Sequence, residues 1–296
     1  YTQYQIPGVK MNAREYILTK QQIWAKSNNI PLIGSKGERG RKVYTTNLDH
    51  NLLEPLTIQT HQCFQAGDGN ELSGNPAKMQ ALHSSSAIAV NVFQYWQTIN
   101  QVPAIASACK LCNRGIHLSH EIIFEEKFPI HESFTTAPNI DVVIHNQPDN
   151  NIKVFAIECK FSEAYSVRND NHGLKEKYLQ IDEIWNGIPA LHTFAKSISP
   201  DDTAYHHLHP AQLVKHILGL KTKFGKNGFR LLYLWYDVPN DEGYQHRQEI
   251  KQFSAMCKQD GILFHTFSYQ GLIMRLVKTY ESEHQEYLYF IGNRYL

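Results

Sequence analysis

Two neighbouring stretches concentrate the side chains able to do chemistry. The first is Asn139-Ile140-Asp141-Val142-Val143-Ile144-His145, and after a turn-forming Gln147-Pro148-Asp149-Asn150-Asn151 comes Val154-Phe155-Ala156-Ile157-Glu158-Cys159-Lys160-Phe161. Read as strands, they place Glu158 and Lys160 on one face and Cys159 on the other. A hairpin centred between Asp149 and Asn150 sets Asp141 opposite Glu158, with Cβ atoms roughly 5 Å apart. A slip of one residue would destroy that alignment.

Two carboxylates and an ammonium on strands otherwise rich in Val, Ile and Phe need a reason, because buried charge is expensive unless paired or metal-bound. A divalent cation between the carboxylates removes their repulsion, and oxygen ligands suit Mg²⁺ or Mn²⁺. Lys160 could then orient a water or help deprotonate it for attack on a phosphodiester. Residues 119–163 carry eight acidic and three basic residues, a balance of −5 inside a chain of net charge +1. The plainer alternative is a structural hairpin in which Lys160 bridges Asp141 and Glu158, since Glu-x-Lys alone is common.

The elements that would hold these residues follow from periodicity. Asn12 followed by Glu15 marks a helix start, with the helix running to about 28. Residues 30–75, broken by glycines, read as irregular or short β structure. Asn75-Pro76 suggests the cap and first turn of a long helix to about 99, and a second helix spans about 103–113. Strands are expected at 120–128, 139–145 and 154–161, then helices at 174–186 and 211–224. A doubly apolar strand at 229–238, a helix at 241–259, a strand at 262–267 and a helix at 271–281 complete the order. A mixed sheet flanked by helices follows, the α/β class.

The catalytic stretch resembles the PD-(D/E)XK nuclease superfamily, whose pattern is an Asp on one strand and Asp or Glu, any residue, Lys on the next. Asp141 and Glu158-Cys159-Lys160 match it, although Pro138 stands three residues before Asp141 and not directly ahead of it. The stretch 83–93, beginning His83-Ser84-Ser85-Ser86, is similar to a helix motif of a branch described as restriction endonucleases. That branch also has a Gln-bearing helix after the Lys strand, here Gln212-Leu213-Val214-Lys215-His216. The resemblance covers roughly residues 76–275.

It implies a restriction-endonuclease-like αβββαβ core with N-terminal and helical additions. Residues 1–75 would be an extension able to contact DNA, and 76–296 the nuclease domain with a helical insertion near 165–205. The implied activity is a metal-dependent, sequence-specific type II-like DNA endonuclease leaving 5′-phosphate and 3′-hydroxyl ends. A non-cleaving or repair-type DNA-binding protein on the same scaffold is the alternative. Asp141, Glu158 and the Cys159 carbonyl would bind Mg²⁺, with Mn²⁺ able to substitute, and Lys160 would sit beside the attacking water. On the long helix, His83, Ala87 and Asn91 recur at four-residue steps where family members often place an acid, and none is present. Glu121, Glu125 and Glu126 on the first strand are the available substitutes, with Glu125 the candidate third ligand. Gln212 is read as an active-site contact, and His83 as a phosphate contact or a capping or core residue. The expected partners are double-stranded DNA and a second copy in a two-fold homodimer.

Near-neutral charge means that DNA affinity must come from a local patch. Lys36, Arg39, Arg41 and Lys42 in a glycine-rich loop are the first candidates, with Lys221, Lys223, Lys226 and Arg230 as a second stretch. Cys109, Cys112, His117 and His120 superficially offer four zinc ligands, but helix-buried cysteines are the better reading. His206-His207-Leu208-His209 reads as a solvated loop. Five cysteines in 296 residues, no apolar run long enough to span a bilayer and no visible signal peptide suggest a reducing cytoplasm.

Overall fold

The computed structural model describes residues 11–113, 119–166 and 172–296. Within them a five-stranded mixed sheet runs β3 (Ser119–Lys127), β4 (Asn139–Asn146), β5 (Val154–Lys160), β6 (Phe229–Trp235), β7 (Phe264–Ser268) in spatial order. The first three strands are antiparallel meanders, and β6 and β7 join β5 in parallel. The parallel crossovers are helical, as they must be to return the chain to the same sheet end. They are α6 (Pro210–Phe224), preceded by α5 (Pro189–Ser197), and α7 (Asp241–Gln259). The expected mixed sheet flanked by helices is therefore present.

Alternation divides the sheet residues between two cores. Val142, Ile144, Phe155, Ile157 and Cys159 face one side, packing with α3 (Ser85–Thr98), α4 (Val102–Ala108), α8 (Tyr269–Tyr280) and α9 (Gln285–Tyr295). Val143, Val154, Ala156, Leu231 and Tyr233 face the other, under α5, α6 and α7. Parallel strands β5 and β6 are apolar on both faces for this reason.

The N-terminal stretch enters the first core directly. Ala13 and Ile17 of α1 (Ala13–Ser27), Leu52, and Phe64 of α2 (Ile58–Ala66) are all part of it. Buried Arg294 on α9 donates to Gln21 Oε1 at 3.0 Å and to the Asn51 carbonyl at 2.7 Å, joining both ends of the chain. Asn12 caps α1 as expected, its side chain accepting the Glu15 N–H. A short antiparallel pair, β1 (Leu32–Gly34) and β2 (Lys42–Thr45), projects the glycine-rich loop.

Several local expectations are corrected. The helix expected from Asn75-Pro76 begins instead at Ser85, where Ser84 accepts the Ala87 N–H; Asn75-Pro76 is a cis peptide in a turn. His83 thus precedes the helix and does not share a face with Asn91. The expected helix at 174–186 is two 3₁₀ turns, Glu176–Tyr178 and Asp182–Trp185. Helix starts only at Pro189, where Asp260 accepts the N–H groups of Ala190 and Leu191. Those carboxylate contacts are long-range and leave no local pattern. The helix expected to about 113 stops at Ala108, and α2 and α9 were not anticipated. No helix among the described residues is long and apolar enough to cross a membrane.

Candidate active site

The β4–β5 ladder pairs Val142 with Ile157 and His145 with Val154, the register of a hairpin centred between 149 and 150. One step beyond the last pair, the Asp141 carboxylate replaces a backbone carbonyl and accepts the Cys159 N–H at 2.7 Å. On the other side, Phe124 pairs with Val142 and Glu126 with Ile140, which sets Glu125 opposite Asp141. Glu125, Asp141 and Glu158 therefore form a row across three adjacent strands. Glu125 has φ +54°, a local break in β3, and its carboxylate accepts from Asn139 Nδ2 at 3.1 Å. Its neighbours are engaged elsewhere: Glu126 pairs with His145 at 2.7 Å, and Glu121 accepts from Gln59 at 3.1 Å. The other two glutamates of β3 thus have partners of their own, and Glu125 is the one in the row.

Glu158 is 0% exposed. One oxygen lies 2.6 Å from Lys160 Nζ and the other 2.8 Å from His216 Nε2. Lys160 reaches it because residues two apart on a strand share a face. His216 reaches it because α6 lies close against the sheet: at Gly219, one turn further on, a Cβ would stand 2.4 Å from the Phe128 carbonyl.

The electrostatics are divided. Burial, then the Glu158 charge, raises the Asp141 pKa well above its ordinary value. Burial, reinforced by Glu71 and Glu158, raises Glu125 to about 7. Burial would also raise Glu158, but Lys160 and His216 outweigh it and bring its pKa down to about 2. Burial would lower Lys160, yet Glu158, Asp141 and Glu163 hold it above its ordinary value, so it remains an ammonium. An ionised pair thus sits beside carboxyls that resist ionising, the condition a divalent cation relieves.

Two serines at the start of α3 lie beside two further acids, Ser86 beside Glu71 and Ser85 beside Glu163. His83 itself turns away: its Nε2 lies 3.4 Å from Glu38, while its carbonyl accepts from Ser162 Oγ at 3.1 Å. Burial, then Arg14, lowers its pKa to about 4. Asn91 is a core residue, bonded to Leu53 N, Asn51 O and Tyr295 Oη. Gln212 stands one turn before His216 on α6, its Oε1 3.2 Å from His209 Nδ1.

Among the described residues no group of three or more His, Cys, Asp or Glu side chains is preassembled for a metal. The available donors are Asp141, with one oxygen beyond the Cys159 bond, and Glu158, whose oxygens would be shared with Lys160 and His216. The Cys159 carbonyl and Glu125 are the next in reach. All are oxygen donors, and their mutual repulsion fits a hard divalent cation. The cysteines do not share a buried helix face as expected, because α4 ends before them: Cys109 is buried and Cys112 half-buried, burial raises both thiol pKa values, and His117 of the zinc alternative lies outside the described residues. The 206–209 segment is not a solvated loop, since Glu249 accepts the N–H groups of His206, His207 and Leu208 and buries the latter two.

The basic residues sort by partner. Arg41 is tied to both oxygens of Glu15 at 2.7 Å, whereas Lys36, Arg39 and Lys42 are exposed. Their loop adjoins the end of β5 through Glu38, His83 and Ser162. Lys221, Lys226 and Arg230 donate to the carbonyls of Ile184, Gly187 and Leu111, so they do not form one open patch. Lys215, which carried no assignment, is lowered by burial and by Lys175 and Lys177, beside Glu158.

The Glu125 shift has a sign that can be measured in chelator. Folded Glu125 keeps its proton up to about 7, against an ordinary 4.5, so between those values the folded state binds more protons than the unfolded chain. Stability from this group therefore falls as pH rises through that window. Glu125→Gln should gain stability over the wild type progressively from about pH 4.5 to 7, by on the order of 2–4 °C in Tm. Tm curves of constant separation would show that Glu125 is not held in this state.

No curated protein and no solved structure matches the chain. A family model described as Restriction Endonuclease associating with ARP matches residues 18–296. Because that match takes in the whole sheet, both helical layers and all but the start of α1, the chain belongs to the restriction endonucleases described as associating with ARP.

Proposed function

We propose that the chain is a Mg²⁺-dependent endonuclease that hydrolyses phosphodiester bonds of duplex DNA at a short sequence, leaving 5′-phosphate and 3′-hydroxyl ends. The observation that carries this reading is the convergence of Asp141, Glu158 and Lys160 at the end of the β4–β5 hairpin. A module that only binds DNA has no use for so costly a cluster.

Asp141, Glu158 and the Cys159 carbonyl would hold the cation, with Glu125 extending the set. When bound, the cation would place positive charge beside a phosphate oxygen and acidify a water. Lys160, kept protonated by its carboxylate neighbours, is suited to donate to the attacking water or to a phosphate oxygen rather than to remove a proton. Gln212, on the helix face that carries His216, contacts the substrate strand. Lys36, Arg39 and Lys42 supply phosphate contacts, since the acidic site cannot attract DNA by itself. Two copies in two-fold pairing would present one site to each strand, which light scattering of the DNA complex reads directly.

Incubation of duplex DNA of varied sequence with Mg²⁺, followed by sequencing of the ends, tests the reading. Discrete cut sites with 5′-phosphate ends are expected, with Mn²⁺ substituting and Ca²⁺ permitting binding without efficient cutting. DNA left intact in both Mg²⁺ and Mn²⁺ would overturn it.

A further inference from the structure

We propose that His216 is a positioning residue for Glu158: from α6 it holds one carboxylate oxygen, so that only the other is offered to the cation side of the site. This rests on the reading of Glu158 as a cation ligand and extends it to a residue on a different layer of the fold.

The imidazole is 1% exposed and lies on a helix whose other inward residues, Leu213, Ile217 and Leu220, belong to an apolar core. Its Nε2 is 2.8 Å from Glu158 Oε2, and its Nδ1 is buried with no hydrogen-bond partner among the described residues. A ring that keeps one polar contact and leaves its other nitrogen unpaired is a poor choice for packing alone. An apolar side chain of similar volume would fill the position at lower cost. The one contact it makes therefore explains its presence.

The consequence for Glu158 is geometric. A glutamate free on both oxygens can rotate and bind a cation through either or both. Here Oε2 is held by His216 and Oε1 lies beside Lys160, so the carboxylate is confined to one orientation and one-oxygen binding. The pin comes from outside the hairpin, and it depends on the close approach of α6 at Gly219. Partners of this kind, which act on a ligand and not on the substrate, usually contribute 10- to 100-fold to metal affinity or rate.

The test uses the full chain with His216→Ala, His216→Gln and His216→Asn. Three quantities are measured: Mn²⁺ affinity by calorimetry without DNA, kcat and KM for cleavage, and Tm. The Gln amide N–H can reach the place of Nε2, whereas the Asn amide is too short. His216→Ala and His216→Asn should weaken Mn²⁺ binding by about 10-fold and lower kcat by about 10- to 100-fold, with KM little changed. His216→Gln should recover both to within about threefold of the wild type. If Ala does not fold, the comparison of Gln with Asn carries the test. Equal Mn²⁺ affinity and kcat in Gln and Asn, or a lowered Tm with both quantities at wild-type level, would overturn the proposal and leave His216 a structural residue. Wild-type protein that neither binds Mn²⁺ nor cuts DNA would bring down the metal-nuclease reading itself, a different outcome from an active wild type indifferent to His216.

Discussion

Asp141→Asn and Lys160→Ala should each lower the rate of DNA cleavage by at least about 10²- to 10³-fold, while binding of duplex DNA in Ca²⁺ stays near the wild-type level. Asn is the informative replacement at 141, because its side-chain oxygen can still accept the Cys159 N–H that closes the hairpin end. Ala would leave that N–H without its acceptor, a loss of roughly 1–3 kcal/mol that mixes stability with chemistry. At 160 the effect has two parts. The variant loses the ammonium beside the reacting phosphate, and among the described residues it leaves Glu158 paired with His216 alone. Removing one member of a buried pair is strongly destabilising, on the order of 3–5 kcal/mol, although the 15% exposure of the Lys160 side chain moderates this. Rates should therefore be taken at a temperature where melting curves show the variant folded. Lys160→Arg should not restore activity, since a planar guanidinium does not replace a compact ammonium. Either variant cutting at the wild-type rate would show that the hairpin is structural and that cleavage, if present, arises elsewhere.

Replacing Lys36, Arg39 and Lys42 together with Ala should weaken DNA binding by about an order of magnitude or more and reduce the slope of log affinity against log salt by roughly 2–3. Lys36 and Arg39 are exposed on the loop between β1 and β2 and Lys42 at the start of β2, next to the segment that leaves the end of β5. Each phosphate they neutralise releases about 0.9 of a counterion, which is the origin of the slope. Arg41 belongs to the same cluster in sequence but serves another purpose. It grips Glu15 of α1, so Arg41→Ala should change stability by about 0.5–1 kcal/mol and leave the salt slope almost unchanged. Binding titrations at several salt concentrations separate the two. If one exposed side chain reads a guanine edge, its loss would be selective for the cognate site, at about 1–3 kcal/mol per base contact. A triple variant with unaltered affinity and slope would leave the loop a solvated connection.

What the amino-acid sequence determined by itself was local. Turn residues between 147 and 151 and an apolar strand run on either side were enough to set Asp141 opposite Glu158 and to put Lys160 on the Glu158 face, because a strand has a period of two and a short turn leaves one register. Asn12 announced the start of α1 through a contact only three residues away. The remainder was decided by groups distant in the chain. Glu125 enters the acidic row only when β3 pairs with β4, and Glu71 comes near Glu125 from a segment far ahead of it in the chain. His216 meets Glu158 across 58 residues, and a glycine on the same helix sets that distance. Arg41 and Arg39 look alike in sequence, and α1 alone makes one an ion pair and leaves the other open. Periodicity reports which way a side chain points along its own element, whereas the partner it meets depends on how elements pack, and packing is a property of the whole chain.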